Sequence, residues 1–169
     1  MQEGRRRVLV CQGTGCVAQG SGIVYERLKT EIARAEIRGV EVDFTGCHGL
    51  CQQGGTVIIE PEGVFYTRVF PEDVSEIITH LKNGRLVERL LYQDPKTRQP
   101  VPYYREIKFY NKQFRVVLRH FGRINPEKIE DYLAAGGYRA LEKVLSQMSP
   151  EQVIEAQQAA SQMPPELME

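Results

Sequence analysis

Arg7-Val8-Leu9-Val10-Cys11-Gln12-Gly13-Thr14-Gly15-Cys16 and, further along, Val40-Glu41-Val42-Asp43-Phe44-Thr45-Gly46-Cys47-His48-Gly49-Leu50-Cys51 share one design. Each begins with a run suited to a β-strand and then opens into a loop of small residues that holds two cysteines. The first run, 7–10, is short and rich in β-branched side chains; the second alternates strictly over 40–44, the period of a strand with one buried face. The cysteine spacing is C-x4-C, thirty residues, then C-x3-C, and no cysteine follows Cys51. Neighbouring strand ends lie about 4.8 Å apart, so two such loops can bring four sulfurs to one place. The four cysteines read as a single site.

Working outward, Val24, Leu28, Ile32 and Ala35 recur at steps of four, four and three, the stripe of a half-buried helix, and Gly39 is placed to end it. Residues 56–60 and 64–69 are β-rich runs around Pro61-Glu62-Gly63, which predicts an antiparallel hairpin. Pro71 opens a helix whose apolar face is Val74, Ile77, Ile78 and Leu81, with Gly84 at its stop. The order β-α-β-β-β-α describes a two-layer α/β domain of about 80 residues, assigned to 1–83. Residues 84–124, with three prolines between Asp94 and Pro102, predict an extended linker. Over 125–156 the signals are helical: Asn125 as N-cap with Pro126 after it, a break at Gly136-Gly137, apolar Leu141, Val144, Leu145 and Met148, and a capping box at Ser149-Pro150-Glu151-Gln152. The polar stretch 157–169, with Pro164-Pro165, predicts a disordered tail.

The chain has 169 residues, 41% hydrophobic and 26% charged, which excludes disordered, collagenous and coiled-coil classes for the bulk of it. Lys and Arg balance Asp and Glu at 22 each, so no net field favours nucleic acid or an anionic membrane. No stretch has the run of about 18 apolar residues that a membrane span needs, and Met1 to Arg7 leads into a strand instead of a signal-peptide core, so the expected compartment is the cytoplasm.

Three occupants suit four clustered cysteines. A [2Fe–2S] cluster takes two pairs of thiolates, with glycines that let the backbone approach and amide hydrogens aimed at sulfur. A structural zinc ion prefers pairs two to four residues apart on tight knuckles, which the C-x3-C pair fits better than the C-x4-C pair. Thiol redox chemistry wants C-x-x-C beside a helix start, and no such pair occurs.

Cys11-Gln12-Gly13-Thr14-Gly15-Cys16 with Cys47-His48-Gly49-Leu50-Cys51, set in this order of elements, resembles the thioredoxin-like [2Fe–2S] ferredoxin family over roughly Arg6 to Asn83. The resemblance implies a thioredoxin-like ferredoxin domain, followed here by a linker and a small helical segment, with Cys11, Cys16, Cys47 and Cys51 all ligating one [2Fe–2S] cluster. No proline stands in 52–56, where catalytic thioredoxins carry one before their third strand, which counts further against dithiol exchange. Beyond the domain, Val87-Glu88-Arg89-Leu90-Leu91-Tyr92, Phe109-Tyr110-Asn111-Lys112-Gln113, Ile124-Asn125-Pro126-Glu127-Lys128-Ile129 and Met148-Ser149-Pro150-Glu151-Gln152-Val153-Ile154 are similar to the stretch that precedes the flavin domain in NADH-binding flavoprotein subunits. The likeness stops near Ala156, where that family's Gly- and Arg-rich flavin loop begins, and its C-x-x-C-x-x-C site for a [4Fe–4S] cluster has no counterpart. The resemblance therefore implies one-electron transfer through a single [2Fe–2S] cluster, with no flavin or NAD on this chain. Its partners would be flavoprotein or other iron–sulfur subunits of an NAD(P)H-linked oxidoreductase complex of the complex I, hydrogenase or formate dehydrogenase kind. The alternative is a non-redox scaffold or adaptor in which the four cysteines hold a structural zinc ion.

Other residues read more plainly. His48, between two cysteines, is expected to hydrogen-bond to sulfur and not to ligate, because four cysteines already fill four positions. His80 and His120 are expected in solvent, and Arg5-Arg6-Arg7 as a soluble terminus. Tyr103, Tyr104, Phe109, Tyr110 and Phe114 are interleaved with Arg and Lys, which here signals a segment packing on its neighbours and not a nucleic-acid surface. The apolar faces of the last helices, with Ile129, Tyr132, Leu141, Val144 and Leu145, are expected to bind a partner subunit or to self-associate.

Overall fold

A computed structural model describes residues 6–162. Strand β1 (Arg6–Cys11) sits inside a four-stranded sheet of order β2-β1-β3-β4, with β2 at Val40–Thr45, β3 at Val57–Glu60 and β4 at Val64–Tyr66. β1 and β2 run parallel, with Val10 opposite Phe44 and Cys11 opposite Thr45. β3 is antiparallel to β1 and returns through the predicted hairpin to β4. The parallel pairing places the exits of β1 and β2 side by side. The antiparallel strand β3 starts at that same end, where the Cys11 amide donates to the Thr56 carbonyl at 3.0 Å.

Alternation along β1 decides what covers each face. Val8 and Val10 join Val57 and Ile59 under two helices, α2 (Ser21–Arg34) and α3 (Val74–Asn83), whose Val24, Leu28, Ile32, Ile77, Ile78 and Leu81 complete one core. A short helix α1 (Thr14–Ala18) precedes α2 within a stretch that the glycines suggested was all loop. Gly84 ends α3 at φ +70, as its placement predicted.

The opposite face carries Leu9, Ile58 and Phe65, and its cover comes from residues expected to be a linker. Tyr92 and Ile107 are buried on it, while Leu90 and Leu91 are buried in the other core. The segment includes a two-stranded ribbon, β5 (Tyr92–Gln93) with β6 (Pro100–Val101), and a single turn of helix, α4 (Lys108–Asn111). It also runs beside β4: the Phe65 amide donates to the Pro102 carbonyl at 2.8 Å and the Thr67 amide to the Leu90 carbonyl at 2.7 Å. The prolines that suggested an extended tether lie in and around this ribbon, where a missing N–H is tolerated. Tyr104 and Tyr110 pack against the same cluster, as the aromatic interleaving predicted. Because Ile107 is 1% exposed, Ile107→Ala is expected to destabilise the fold by about 2–5 kcal/mol, measured by denaturant unfolding; a value near zero would return this segment to tether status.

Asp43 fastens the far end of the segment. Its buried carboxylate accepts from the Asn125 side-chain amide at 2.7 Å and the Phe44 amide at 2.9 Å on one oxygen, and from Lys128 at 2.6 Å and Arg7 at 3.2 Å on the other. The Thr45 hydroxyl donates to the Ile124 carbonyl at 3.0 Å. Asn125, read from sequence as a helix N-cap, instead heads a turn, accepting from the Glu127 amide at 2.9 Å, and the helix α5 (Ile129–Ala134) begins later. Burial alone would push the Asp43 carboxyl up, but the bonds from Lys128, the Phe44 amide and Asn125 together hold it below the ordinary carboxylate range. A depressed folded-state pKa gives stability that is present in full above the unfolded value of about 3.9 and is lost as pH falls through the folded value. Asp43→Asn is therefore expected to lower stability at neutral pH and to flatten the acid limb of a stability–pH profile; an unchanged limb would dismiss Asp43 as its source.

Arg6 and Arg7 belong to β1 and not to a solvated terminus: Arg6 pairs with Glu62 at 2.6 Å and Arg7 with Asp43, while Arg5 lies outside the described residues. His80 is also buried, not in solvent. The Val87 amide donates to the Tyr66 hydroxyl at 3.1 Å, and that hydroxyl shares a hydrogen bond with His80 Nδ1 at 2.7 Å. Burial lowers the His80 pKa, consistent with a neutral ring.

The described residues divide into two compact units, one up to Lys128 and one from Ile129. The second contains α5, α6 (Arg139–Gln147) and α7 (Pro150–Ser161). Its turn at Gly136-Gly137 is closed by the ring of Tyr132, which leaves no room for a side chain at 137, and Tyr132 and Tyr138 meet edge to face at 5.2 Å. The predicted capping box is present: the Gln152 amide donates to Ser149 Oγ at 3.3 Å and the Ser149 amide to Gln152 Oε1 at 2.8 Å. α7 continues through Ser161, so residues 157–161, expected in the tail, are helical; 163–169 lie outside the described residues. Among the described residues none in these three helices is buried, and Ile129, Leu133, Leu141 and Leu145 are exposed.

Candidate metal centre

All four cysteines gather at the end of the sheet where β1 and β2 exit. Cys11 is the last residue of β1 and Cys16 lies in α1, both buried; Cys47 follows β2 and is half-buried, and Cys51 is exposed at the start of a single tight turn. None is in a disulfide. They stand as two pairs. The Cys11 and Cys16 thiols share a hydrogen bond, and Cys47 Sγ lies 3.6 Å from Cys51 Sγ. The first loop lies against the second: a Cβ on Gly15 would be 3.5 Å from Cys51 Cβ and 3.8 Å from its sulfur. Among the described residues no three Cys, His, Asp or Glu side chains close around a single-ion site.

The backbone around the sulfurs is built for close approach. A Cβ on Gly13 would lie 2.8 Å from Cys47 Cβ and 3.2 Å from its sulfur, so only glycine lets the first loop meet the second. Gly55 has φ +66, and a Cβ there would sit 2.4 Å from the Val69 carbonyl oxygen; this glycine lets the chain turn from the Cys51 loop into β3 beside Cys16. Amide hydrogens point at sulfur from several sides. The Gly49 amide donates to Cys47 Sγ at 3.3 Å, Cys11 receives the amides of Gly13 and His48, and Cys16 those of Thr56 and Gly55. The Thr56 hydroxyl adds a contact at 4.0 Å.

These surroundings split the inner pair. The bond that the Cys11 thiol donates to Cys16, reinforced by burial, holds the Cys11 thiol well above the ordinary thiol range. The same bond, joined by the amides of Thr56 and Gly55, draws Cys16 down to about 5 despite its burial. Donors aimed at a sulfur favour its anionic form, which is the form that binds metal.

His48 contributes through its backbone and not through its ring. The ring packs edge-on against Phe65 at 5.4 Å and Tyr110 at 6.0 Å, and its Nε2 is buried without a hydrogen-bond partner. Burial pushes the ring's pKa down to about 4, so it is neutral. The His48 carbonyl accepts from the Tyr110 hydroxyl at 3.2 Å. The expectation of an imidazole bonded to sulfur is therefore replaced by an amide bonded to sulfur and a ring used as packing. Sequence reasoning also passed over Thr56, Gly55 and Tyr110 as parts of this site. The Gly54-Gly55-Thr56 run directly after the second cysteine loop was the available signal for the first two.

The site so described has the donor set, the pairing and the glycine cradle that a [2Fe–2S] cluster needs. The family model for the thioredoxin-like [2Fe–2S] ferredoxin matches residues 1–82. A [2Fe–2S] ferredoxin of Clostridium pasteurianum is 32% identical over 96 residues, an alignment that spans 51% of this chain and 94% of that protein. The chain belongs to the thioredoxin-like [2Fe–2S] ferredoxin family. The crystal structure of the thioredoxin-like [2Fe–2S] ferredoxin from Aquifex aeolicus aligns with a TM-score of 0.48 and 33% identity, covering 53% of this chain and 98% of that one. A shorter stretch of 44 residues is 48% identical to the NADP-reducing hydrogenase subunit HndC of Solidesulfovibrio fructosivorans, covering 26% of this chain and 9% of that subunit. The cofactor of this ferredoxin domain is accordingly a [2Fe–2S] cluster, and no helix among the described residues is long and apolar enough to cross a membrane.

Proposed function

We propose that this chain passes electrons one at a time through a single [2Fe–2S] cluster held by Cys11, Cys16, Cys47 and Cys51, as one component of an NAD(P)H-linked oxidoreductase. The observation that carries the reading is the convergence of two paired-cysteine loops at the common exit of β1 and β2. When bound, the cluster supplies a one-electron couple. The protein's part is to present four thiolates, to direct the amides of Gly13, His48, Gly49, Gly55 and Thr56 at them, and to shield the inner pair from water. Amide donors offset negative charge on sulfur, which is one of the levers by which a protein sets a cluster's potential.

Two observations support membership in a larger assembly. One is the similarity to a hydrogenase subunit, of which this chain matches a small part. The other is the exposed apolar side chains along α5–α7, including Leu141 and Leu145, which a neighbouring subunit or domain would cover. In this reading flavin and nicotinamide belong to that neighbour.

The test is a metal and sulfide analysis of anaerobically purified protein, with visible and EPR spectra before and after dithionite. Iron and acid-labile sulfide in equal amounts, a visible spectrum that bleaches on reduction and a paramagnetic reduced state are expected. Stoichiometric zinc without iron or sulfide would end the electron-transfer reading and leave the scaffold.

A further inference from the structure

A cleft of about 340 Å³ opens beside the cysteine loops. Its floor is His48 and Tyr110, and its rim holds Arg105, Arg115, Arg119 and Arg123. No acidic side chain lines it. None of these four arginines forms an ion pair among the described residues, although Arg6, Arg7, Arg89, Lys108 and Lys128 each do. Their hydrogen bonds and ring contacts are with neutral groups, although Arg123 also acts electrostatically on the half-buried Glu60 carboxylate. Arg115 lies over the Tyr110 ring at 4.7 Å and donates to Gln113 Oε1 at 3.3 Å; Arg119 donates to His120 Nε2 at 3.0 Å; Arg123 lies 6.0 Å from the Tyr104 ring centre. A chain whose formal charges sum to zero thus gathers four arginines at one cleft, with Glu60 an acidic neighbour of Arg123.

That place adjoins the sulfurs. The amide of His48 bonds to Cys11 and its carbonyl to Tyr110, while the Tyr110 hydroxyl is close enough to be influenced by Cys11 and Cys47 on one side and Arg115 on the other. The buried Nε2 of His48, without a partner, is a second polar group in the floor. The arginine segment also exposes Phe114, Val116, Val117, Leu118 and Phe121. Arginine together with exposed aromatic and aliphatic side chains is the composition of a protein interface more than of a free-anion pocket, and guanidinium forks pair bidentately with carboxylates.

We infer that this cleft is the docking site for an acidic, carboxylate-bearing surface of a protein electron-transfer partner, guided to the cluster from the His48 side. The inference rests on the electron-transfer reading above and names the partner's chemistry. Like charges around a redox centre steer an oppositely charged partner and raise its association rate, an effect that salt removes.

Two measurements on the cluster-containing protein test it. The first is binding of a fluorescein-labelled hexaglutamate peptide by anisotropy at low and at physiological salt, comparing wild type, the double variant Arg115→Gln/Arg119→Gln and the control Arg27→Gln on α2. Wild type and control are expected to bind with steep salt dependence, and the double variant about tenfold or more weaker. The second is stopped-flow oxidation of the dithionite-reduced protein, in which one electron leaves the protein and reduces either the hexacyanoferrate(III) anion or the hexaamminecobalt(III) cation by one. The anion's rate is expected to fall with ionic strength and the cation's to rise, with both slopes flattened in the double variant. Equal binding by wild type and double variant, or slopes unaffected by the substitution, overturns the docking site. So does tighter binding of single-stranded oligodeoxythymidylate, or of citrate, than of the peptide, since the cleft would then serve nucleic acid or small anions. Protein that holds no iron refutes the electron-transfer reading itself, and peptide binding still judges the cleft.

Discussion

Cys16→Ala is expected to abolish the visible iron–sulfur spectrum and to reduce bound iron and sulfide to background. The side chain is 3% exposed, its sulfur is drawn toward the thiolate form by the bond from Cys11 and the Thr56 and Gly55 amides, and alanine offers no ligand atom. On the proposed ligand set, this variant lacks one of the two inner thiolates. The protein should also unfold at lower temperature, because metal–thiolate bonds formed only in the folded state add to its stability. Iron analysis, absorption spectra and a thermal melt of the same preparation check both statements. Full cluster content in this variant would remove Cys16 from the ligand set.

The second large effect is expected from a single methyl group. Gly13 has φ −62, which any residue adopts, so Gly13→Ala carries no backbone penalty of its own. Its new Cβ would meet Cys47 Cβ at 2.8 Å, Cα at 3.2 Å and Sγ at 3.2 Å. The two loops must then part, and because both leave hydrogen-bonded parallel strands neither can yield without disturbing the sheet end. We expect overpacking to cost about 1–3 kcal/mol in the cluster-free protein, with a marked fall in iron per chain on reconstitution. Gly22→Ala is the matched control: it lies inside α2 with nothing within 4 Å of the added methyl, and should be neutral or stabilising by up to about 1 kcal/mol. If both variants load iron equally, the close approach of the loops is not what the site depends on.

How much of this was legible from sequence follows from the range of the forces involved. The strands and the hairpin declare themselves through local period, α2 and α3 through apolar spacing, and the end of α3 through its glycine, whereas α2 stops at Arg34, before the Gly39 expected to end it; those patterns are short-range and survive in a bare sequence. The candidate site was legible because cysteine is rare and its two pairs sit directly after strand-like runs. Burial that depends on distant partners was not legible. His80 carries no local mark that the Tyr66 hydroxyl bonds to its ring, and a histidine near a helix end reads equally well as solvated. Ile107 stands between Glu106 and Lys108, with no periodicity to show that it fills the second face of the sheet. The imidazole of His48 was assigned to sulfur by its place in the chain, whereas Phe65 and Tyr110, far away in sequence, decide where it points.

The path of residues 84–128 has a consequence for assembly. A mixed sheet of four strands has two borders with unused backbone donors and acceptors, and such borders recruit strands from other molecules into aggregates. Here one stretch of chain guards the border at β4, whose outer side it occupies through Leu90 and Pro102. Truncation after α3 would uncover that border, so a minimal ferredoxin cut from this chain should be prone to precipitate by strand addition, whatever the state of its metal site.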